Sequence, residues 1–300
     1  MRRARHYNNM NLNIILLIIV TIIWGTTFPL LRTTGFHLNG LETSTLRFVV
    51  AAVCLLPFAL KASRKVWRDG AILGSIALLS YVTQAYGLEL ISSNRSAFIT
   101  SLNVLMVPFL GLMFGQRLSL QVIIAACLAC TGIGLMSWNG AGDLSGDLAT
   151  LGSALAYALY IILLSRFARS HNPITLAAAL TVVMALLCIV ATIATGSHNG
   201  TLSTLLVRAE PVWKILVFLG VVASAGTLFL QALAQQKISA EKAAVIYALE
   251  PVFASVFGWW WLAETMTPQA ALGAAIVVLA VVAGEWNFRP KAQSSTASMP

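Results

Sequence analysis

The stretch QAYGLELISSNRSAFITSLNVLMVPFLG, residues 84–111, falls opposite QALAQQKISAEKAAVIYALEPVFASVFG, residues 231–258, when the chain is slid 147 positions along itself. Eight of the 28 pairs are identical: Gln84/Gln231, Ala85/Ala232, Ile91/Ile238, Ser92/Ser239, Ala97/Ala244, Ile99/Ile246, Leu102/Leu249 and Gly111/Gly258. Arg95/Lys242 is conservative. Two apolar stretches share Leu, Ile and Ala by composition alone, but composition does not readily align a Gln pair, an Ile-Ser pair and a basic pair in one register. The chain reads as a duplication.

Composition tells what kind of unit was duplicated. Of 300 residues, 58% are hydrophobic and 10% charged, with a mean hydropathy of +0.84. A soluble domain carries about 25% charged residues to meet water. A bilayer core about 30 Å thick takes roughly 20 apolar residues per helix. Ten such segments are read: 13–34, 42–60, 70–90, 96–115, 120–138, 147–167, 174–195, 212–235, 243–262 and 268–286. The longest connection, 196–211, holds no apolar pattern of its own, so no room is left for a soluble domain. Arg2, Arg3 and Arg5 resemble the charged start of a secretory signal, but the apolar run from Ile14 to Leu31 is too long and no A-x-A site comes after it. It is kept as a span.

The net charge of +9 is explained by its placement. With the N-terminus in the cytoplasm, fourteen Lys and Arg fall on cytoplasmic segments and four outside (Arg32, Arg95, Arg208, Lys214), with Arg47 inside the second span. This is the positive-inside rule. It orients the protein and removes the nucleic-acid reading. The expected fold is an all-α membrane protein with ten transmembrane helices as two inverted five-helix repeats, both termini cytoplasmic. The boundaries are a tail 1–12, a first repeat 13–138, an external linker 139–146, a second repeat 147–286 and a tail 287–300. Five is odd, so the second copy enters the membrane upside down, an arrangement typical of secondary transporters.

Polar groups at membrane depth recur in both copies. At the same offset Ser80 matches Thr227, Gln84 matches Gln231 and Asn103 matches Glu250. In the first span of each half, Trp24 pairs with Tyr157 and Thr27 with Tyr160. Spacings of three or four put Trp24/Thr27, Tyr157/Tyr160 and Tyr81/Gln84 on single helical faces. Each alone could be glue between helices; the set, repeated in both halves, points to a shared cavity. Glu250 sits amid twenty nearly unbroken apolar residues, 243–262, directly before Pro251. A charge at the bilayer centre costs about 2.5–3.5 kcal/mol on insertion scales, so Glu250 must face the cavity or be neutral. Its role is left between a substrate or proton contact and a bond to a neighbouring helix.

Pro251 removes the backbone bond to Tyr247 and marks a hinge; Pro29 and Pro108 are candidate hinges in the first and fourth spans. Arg47 lies about two turns from the outer end of its span and reads as structural, snorkelling outward. Glu42, five residues earlier, is off the ideal pairing spacing. Trp259, Trp260 and Trp261 read as an interfacial belt. Cys54, Cys127, Cys130 and Cys188 are read as free apolar thiols, and His6, His37, His171 and His198 lie in loops or tails, so no metal or cofactor is expected.

Taken together, IIWGTTFPLLR in the first span, TLRF in the second, NVLMVPFLG in the fourth and YALEPVFASVFGWWWLAET in the ninth resemble the EamA family of the drug/metabolite transporter superfamily, over roughly residues 13–286. That resemblance implies a bacterial inner-membrane permease, commonly an exporter of amino acids, related metabolites or toxic compounds. It implies a cavity between spans 1, 3, 4, 6, 8 and 9, with 5 and 10 peripheral, and makes Trp24-Gly25 and Leu249-Glu250-Pro251 family positions. Glu264 fits the acid that closes the ninth span; its counterpart Gln116 departs from that pattern.

The function expected is alternating-access transport of a small amphipathic metabolite, an amino acid or relative, most simply outward. Substrate-binding candidates are Trp24, Thr27, Tyr81, Gln84, Asn103, Tyr157, Tyr160, Gln231, Tyr247 and Glu250. Coupling is left between proton exchange at Glu250 and the substrate gradient. The partners expected are the small-molecule substrate, membrane lipid and protons; no nucleic acid and no second subunit are required. A lipophilic-cation exporter suits the same residues. An intramembrane enzyme is disfavoured, because no span holds a nucleophile with an evident base.

Overall fold

The computed structural model describes residues 2–91, 93–113, 115, 119–137, 143–195, 202–262 and 267–285. The described chain is helical and contains no strand. Its helices are α1 (Arg2–Thr34), α2 (Gly40–Ala59), α3 (Arg64–Leu90), α4 (Ser93–Ser101), α5 (Asn103–Met113), α6 (Leu120–Ser137), α7 (Leu144–Ala168) and α8 (Pro173–Ala194). They continue with α9 (Leu202–Ala209), α10 (Trp213–Gly220), α11 (Thr227–Gln235), α12 (Ala240–Tyr247), α13 (Glu250–Leu262) and α14 (Pro268–Glu285). A 3-10 turn (Glu210–Val212) joins α9 to α10, and a π-helical turn (Val221–Gly226) joins α10 to α11.

Among the described residues, six stretches are long and apolar enough to cross a membrane, and Phe98–Met113, Leu120–Leu135 and Pro268–Gly284 are shorter apolar helices. The 27-residue α3 carries Ser80, Tyr81, Thr83 and Gln84 on its apolar part. Helix starts are set by capping side chains that satisfy free N–H groups. Asn39 and Glu42 form a reciprocal box at α2, and Ser63, Asp143 and Asn172 accept from the first turns of α3, α7 and α8. Asp143 thereby starts α7 at Leu144, three residues before the apolar pattern.

Three expected spans are interrupted. The fourth breaks at Leu102, between α4 and α5; the ninth breaks at Ala248–Leu249, between α12 and α13; the eighth is bulged by the π turn. The ninth span is interrupted directly before Pro251, the residue expected to remove a backbone bond there. The equivalent break at Leu102 has no proline within the next four residues, and Pro251 is the second residue of α13, where its missing N–H would lack an intrahelical partner anyway. Pro29 and Pro108 lie inside α1 and α5 without interrupting either helix.

Packing directions are set by side-chain contacts. α2 and α8 run antiparallel: Thr45 Oγ1 meets Thr192 Oγ1 at 2.7 Å near one end, and Ala59 shares a cluster with Ala178 near the other. α6 and α14 are likewise antiparallel, with the Gln121 amide donating to the Ala283 carbonyl at 2.7 Å and the Gln269 amide to Leu135 at 3.1 Å. Ser80 and Ser153 join α3 to α7 by reciprocal bonds. Small residues allow the closest approach: a Cβ on Gly25 would stand 2.6 Å from that of Phe253, pressing α1 onto α13. Trp259, Trp260 and Trp261 are exposed on the outside of the bundle, and the four cysteines are unbridged.

Candidate functional site

The interior core joins α1, α5, α7, α11 and α12 around an aromatic group. Trp24 on α1, Tyr157 on α7 and Tyr247 on α12 form a triangle. Their centroids stand 6.1 Å (Trp24–Tyr157), 5.6 Å (Trp24–Tyr247) and 6.2 Å (Tyr157–Tyr247) apart. Tyr160 stacks on Tyr157 one turn along, at 5.8 Å and 17°. These rings come from helices far apart in sequence, so only the bundle assembles them.

Their polar ends are held by α11. The Tyr160 hydroxyl donates to Gln231 Oε1 at 3.2 Å, Gln231 Nε2 donates to the Tyr157 hydroxyl at 3.3 Å, and Gln235 Nε2 donates to the Tyr247 hydroxyl at 2.8 Å. Ser165 completes Gln235 by donating to its Oε1 at 2.7 Å. Trp24 Nε1 donates to Thr227 Oγ1 at 3.3 Å. With hydroxyls and indole N–H tied back, the group offers mainly ring surface. Gln231 and Gln235 have no exposed surface, so losing either partner would strand a buried amide.

Glu250 opens α13 beside this group. It is surrounded by protein yet keeps part of its surface accessible, and its charge is felt by Tyr81, Tyr157 and Tyr247. Among the described residues nothing donates to its carboxylate and no cation faces it.

The first-half candidates form a second arm. Gln84 Nε2 donates to Thr100 Oγ1 at 3.2 Å, and Asn103 Nδ2 donates to the Thr100 carbonyl at 2.8 Å. Tyr81 is half-buried, edge-on to Phe48 at 5.3 Å. Thr27 bonds the Trp24 carbonyl of its own helix at 2.7 Å and is buried. The structure thus brings Trp24, Tyr157, Tyr160, Gln231 and Tyr247 together, with Glu250 opening α13 near them and Tyr81 against Phe48. Gln84 and Asn103 gather at the break between α4 and α5, and Thr27 satisfies itself. Glu264 and Gln116 lie outside the described residues.

Arg47 is the main residue misjudged from sequence. It does not snorkel outward: it is 4% exposed, its Nε donates to Ser224 Oγ at 3.0 Å and its Nη2 to the Ala223 carbonyl at 3.3 Å, both in the π turn. Glu42 instead takes Arg208, whose Nη1 lies 3.1 Å from Glu42 Oε2. At the other end of the bundle Asp69 pairs with His171 at 2.7 Å and Arg68 at 2.9 Å, while Gln236 ties the carbonyls of Ala168 and His171. Burial opposes the Asp69 charge, but the bonds to His171 and Arg68 outweigh it and hold the carboxyl below its ordinary range.

The profile of the EamA-like transporter family matches residues 11–138 and again 144–283. An uncharacterized transporter of Archaeoglobus fulgidus is 29% identical over 89% of this chain and 83% of its own length. A second from the same organism is 23% identical over 89% of this chain and 93% of its own. A solved crystal structure shares the fold with a TM-score of 0.73, covering 91% of this chain and 97% of its own at 17% identity.

Proposed function

This chain belongs to the EamA-like transporter family, and from that premise we propose that it is a secondary permease working by alternating access across a bacterial inner membrane. It carries a small amphipathic metabolite, an amino acid or relative, outward through the space bordered by Trp24, Tyr157, Tyr247 and Glu250. In this reading ten spans form two inverted five-helix repeats with both termini cytoplasmic. The double profile match and the antiparallel pairs α2/α8 and α6/α14 support the inversion. So does the recurrence of the Gln84–Thr100 contact 147 residues later, where Gln231 reaches Tyr247. Halves related in this way can exchange conformations and turn a central site from one face to the other.

The observation that carries the proposal is Glu250: a half-buried carboxylate with no partner among the described residues, near the tyrosine rings, at the break between α12 and α13. A membrane interior tolerates irregular backbone where it lines a cavity, and an acid there marks a pathway. Gln84, Asn103, Tyr81, Tyr160, Gln231 and Thr27 shape and support the same space, and Pro29, Pro108 and Pro251 lie within the helices that move around it. Proton exchange at Glu250 supplies the coupling. The test is counterflow in proteoliposomes loaded with amino acids or with lipophilic cations, wild type against Glu250→Gln. Exchange of an amino acid, abolished by the substitution, is expected; no exchange of any solute overturns the permease reading.

One observation favours a second substrate class. Three ring faces beside an acid suit a lipophilic cation, since cations are drawn to aromatic faces. Exchange of lipophilic cations alone would select that reading.

A further inference from the structure

Two polar pairs lie at opposite ends of the bundle, and the repeat relates them. Asn39 caps α2 and Asn172 caps α8. The two caps stand as far apart in sequence as Trp24 and Tyr157, the pair that aligns the first span of each half. Beside each cap a side chain crosses to the other half. Glu42, in the first turn of α2, takes Arg208, whose Nη1 lies 3.1 Å from Glu42 Oε2. His171, directly before Asn172, takes Asp69 at 2.7 Å. Glu42 and Asp69 belong to the first half, His171 and Arg208 to the second. Arg208 stands just before α10 and Asp69 in the second turn of α3. Each half therefore reaches, from the start of its second span, to the start of the other half's third span.

Backbone contacts repeat the pattern. A Cβ on Gly220 would stand 2.8 Å from the Arg47 carbonyl oxygen, so α10 is pressed onto α2. A Cβ on Gly74 would stand 2.7 Å from the Leu180 carbonyl oxygen, so α3 is pressed onto α8. Because α2 and α8 run antiparallel, their starts, and with them the two pairs, lie at opposite ends.

Both acids are buried, and each keeps a bond within its own half when the partner across the divide leaves. Glu42 Oε2 accepts from the Asn39 N–H at 3.0 Å, and Asp69 Oδ1 accepts from Arg68 Nε at 2.9 Å. A buried carboxylate stripped of every partner would be strongly destabilising; here the retained bond lets each pair part at lower cost. With both pairs closed, Trp24 and Tyr247 of the aromatic group are only 7% and 3% exposed.

We propose that Glu42–Arg208 and Asp69–His171 are twin latches that close the central site at the two membrane faces and part in alternation during transport. This rests on the permease reading and adds the residues that gate it. Halves related by inversion exchange conformations, so a bond between them that opens at one face has a twin that holds at the other. With both latches closed the site is occluded, the form this structure takes.

The test uses the full-length chain with Tyr157→Cys as a reporter in the aromatic group and Cys54, Cys127, Cys130 and Cys188 replaced by alanine. A membrane-impermeant methanethiosulfonate is applied to spheroplasts, to reach the outer face, and to inside-out vesicles, to reach the cytoplasmic one. Arg208→Gln should speed labelling about threefold or more from one face only, as loss of a bond favouring the closed form shifts the population. Asp69→Asn should do the same from the opposite face only. If either variant does not fold, Glu42→Gln with Arg208→Gln, or Asp69→Asn with His171→Gln, takes its place, removing both partners so that no buried charge is stranded. Labelling sped equally from both faces, or from neither, makes the pairs static pins and overturns the latches; wild-type counterflow then leaves the permease standing. Unsided labelling together with no counterflow of any solute overturns both.

Discussion

Leu102 and Leu249, 147 residues apart, occupy the same structural place. Each donates its backbone N–H to the carbonyl three residues back, Leu102 to Ile99 at 3.1 Å and Leu249 to Ile246 at 3.0 Å. Each immediately precedes the first residue of a new helix, Asn103 or Glu250. The two breaks differ in the side chain that opens the new helix: a neutral amide in one half, an acid in the other. That asymmetry puts the acid at one of the two breaks only and is where substitution is most informative.

Glu250→Gln should leave the melting temperature unchanged or raise it, because the carboxylate has no partner among the described residues and its burial opposes folding. Counterflow activity should fall in the same protein. A drop in melting temperature of several degrees would instead identify a structural bond made by Glu250.

Gly25→Ala should destabilise by about 1–3 kcal/mol, the usual range for overpacking a tight contact. The added methyl meets Phe253 Cβ at 2.6 Å and its carbonyl carbon at 2.9 Å, and backbone cannot yield as a flexible side-chain tip can. Thermal unfolding in detergent measures this. Gly152→Ala, where an added Cβ meets nothing within 4 Å, is the matched control and should be nearly neutral.

Arg208→Ala should destabilise by about 2 kcal/mol, because Glu42 has no exposed surface and would keep only its capping bond from the Asn39 N–H. Arg208 itself is 38% exposed, so solvent softens the loss. Glu42→Gln combined with Arg208→Ala should lose less than the two single changes added, the sign of a direct pair in a double-mutant cycle.

Asp69 gives a pH dependence of known sign. Its carboxyl is held below the ordinary value of 3.8, so the stability it contributes is fully present above about pH 4 and is lost as pH falls through the lowered folded value. Asp69→Asn should be less stable than wild type at pH 6, and the difference should shrink towards pH 3. Parallel melting curves over that range would refute the assignment.

The 147-residue offset and the apolar character of the helices were legible in one dimension, because each is a matter of composition or spacing. Partners were not. Arg47 shares no sequence neighbourhood with Ser224, 177 positions away, and hydropathy reports how deep a residue lies but not what it meets there. The break at Leu102 was equally hidden: it carries no proline or glycine, and a helix can end wherever tertiary contacts hold the chain better than the next turn would. Gln235, which orients Tyr247, showed only as a polar residue near a span's end.

Family membership, the apolar character of the helices and the 147-residue offset needed no coordinates, since repeated chemistry at a constant spacing is visible along the chain itself. The tertiary structure alone decided that Trp24, Tyr157 and Tyr247 meet, that Glu250 has no partner among the described residues beside them, and that Arg47 turns inward to the π turn. Those outcomes depend on distances between helices far apart along the chain. Packing sets such distances only once every span competes for the same interior.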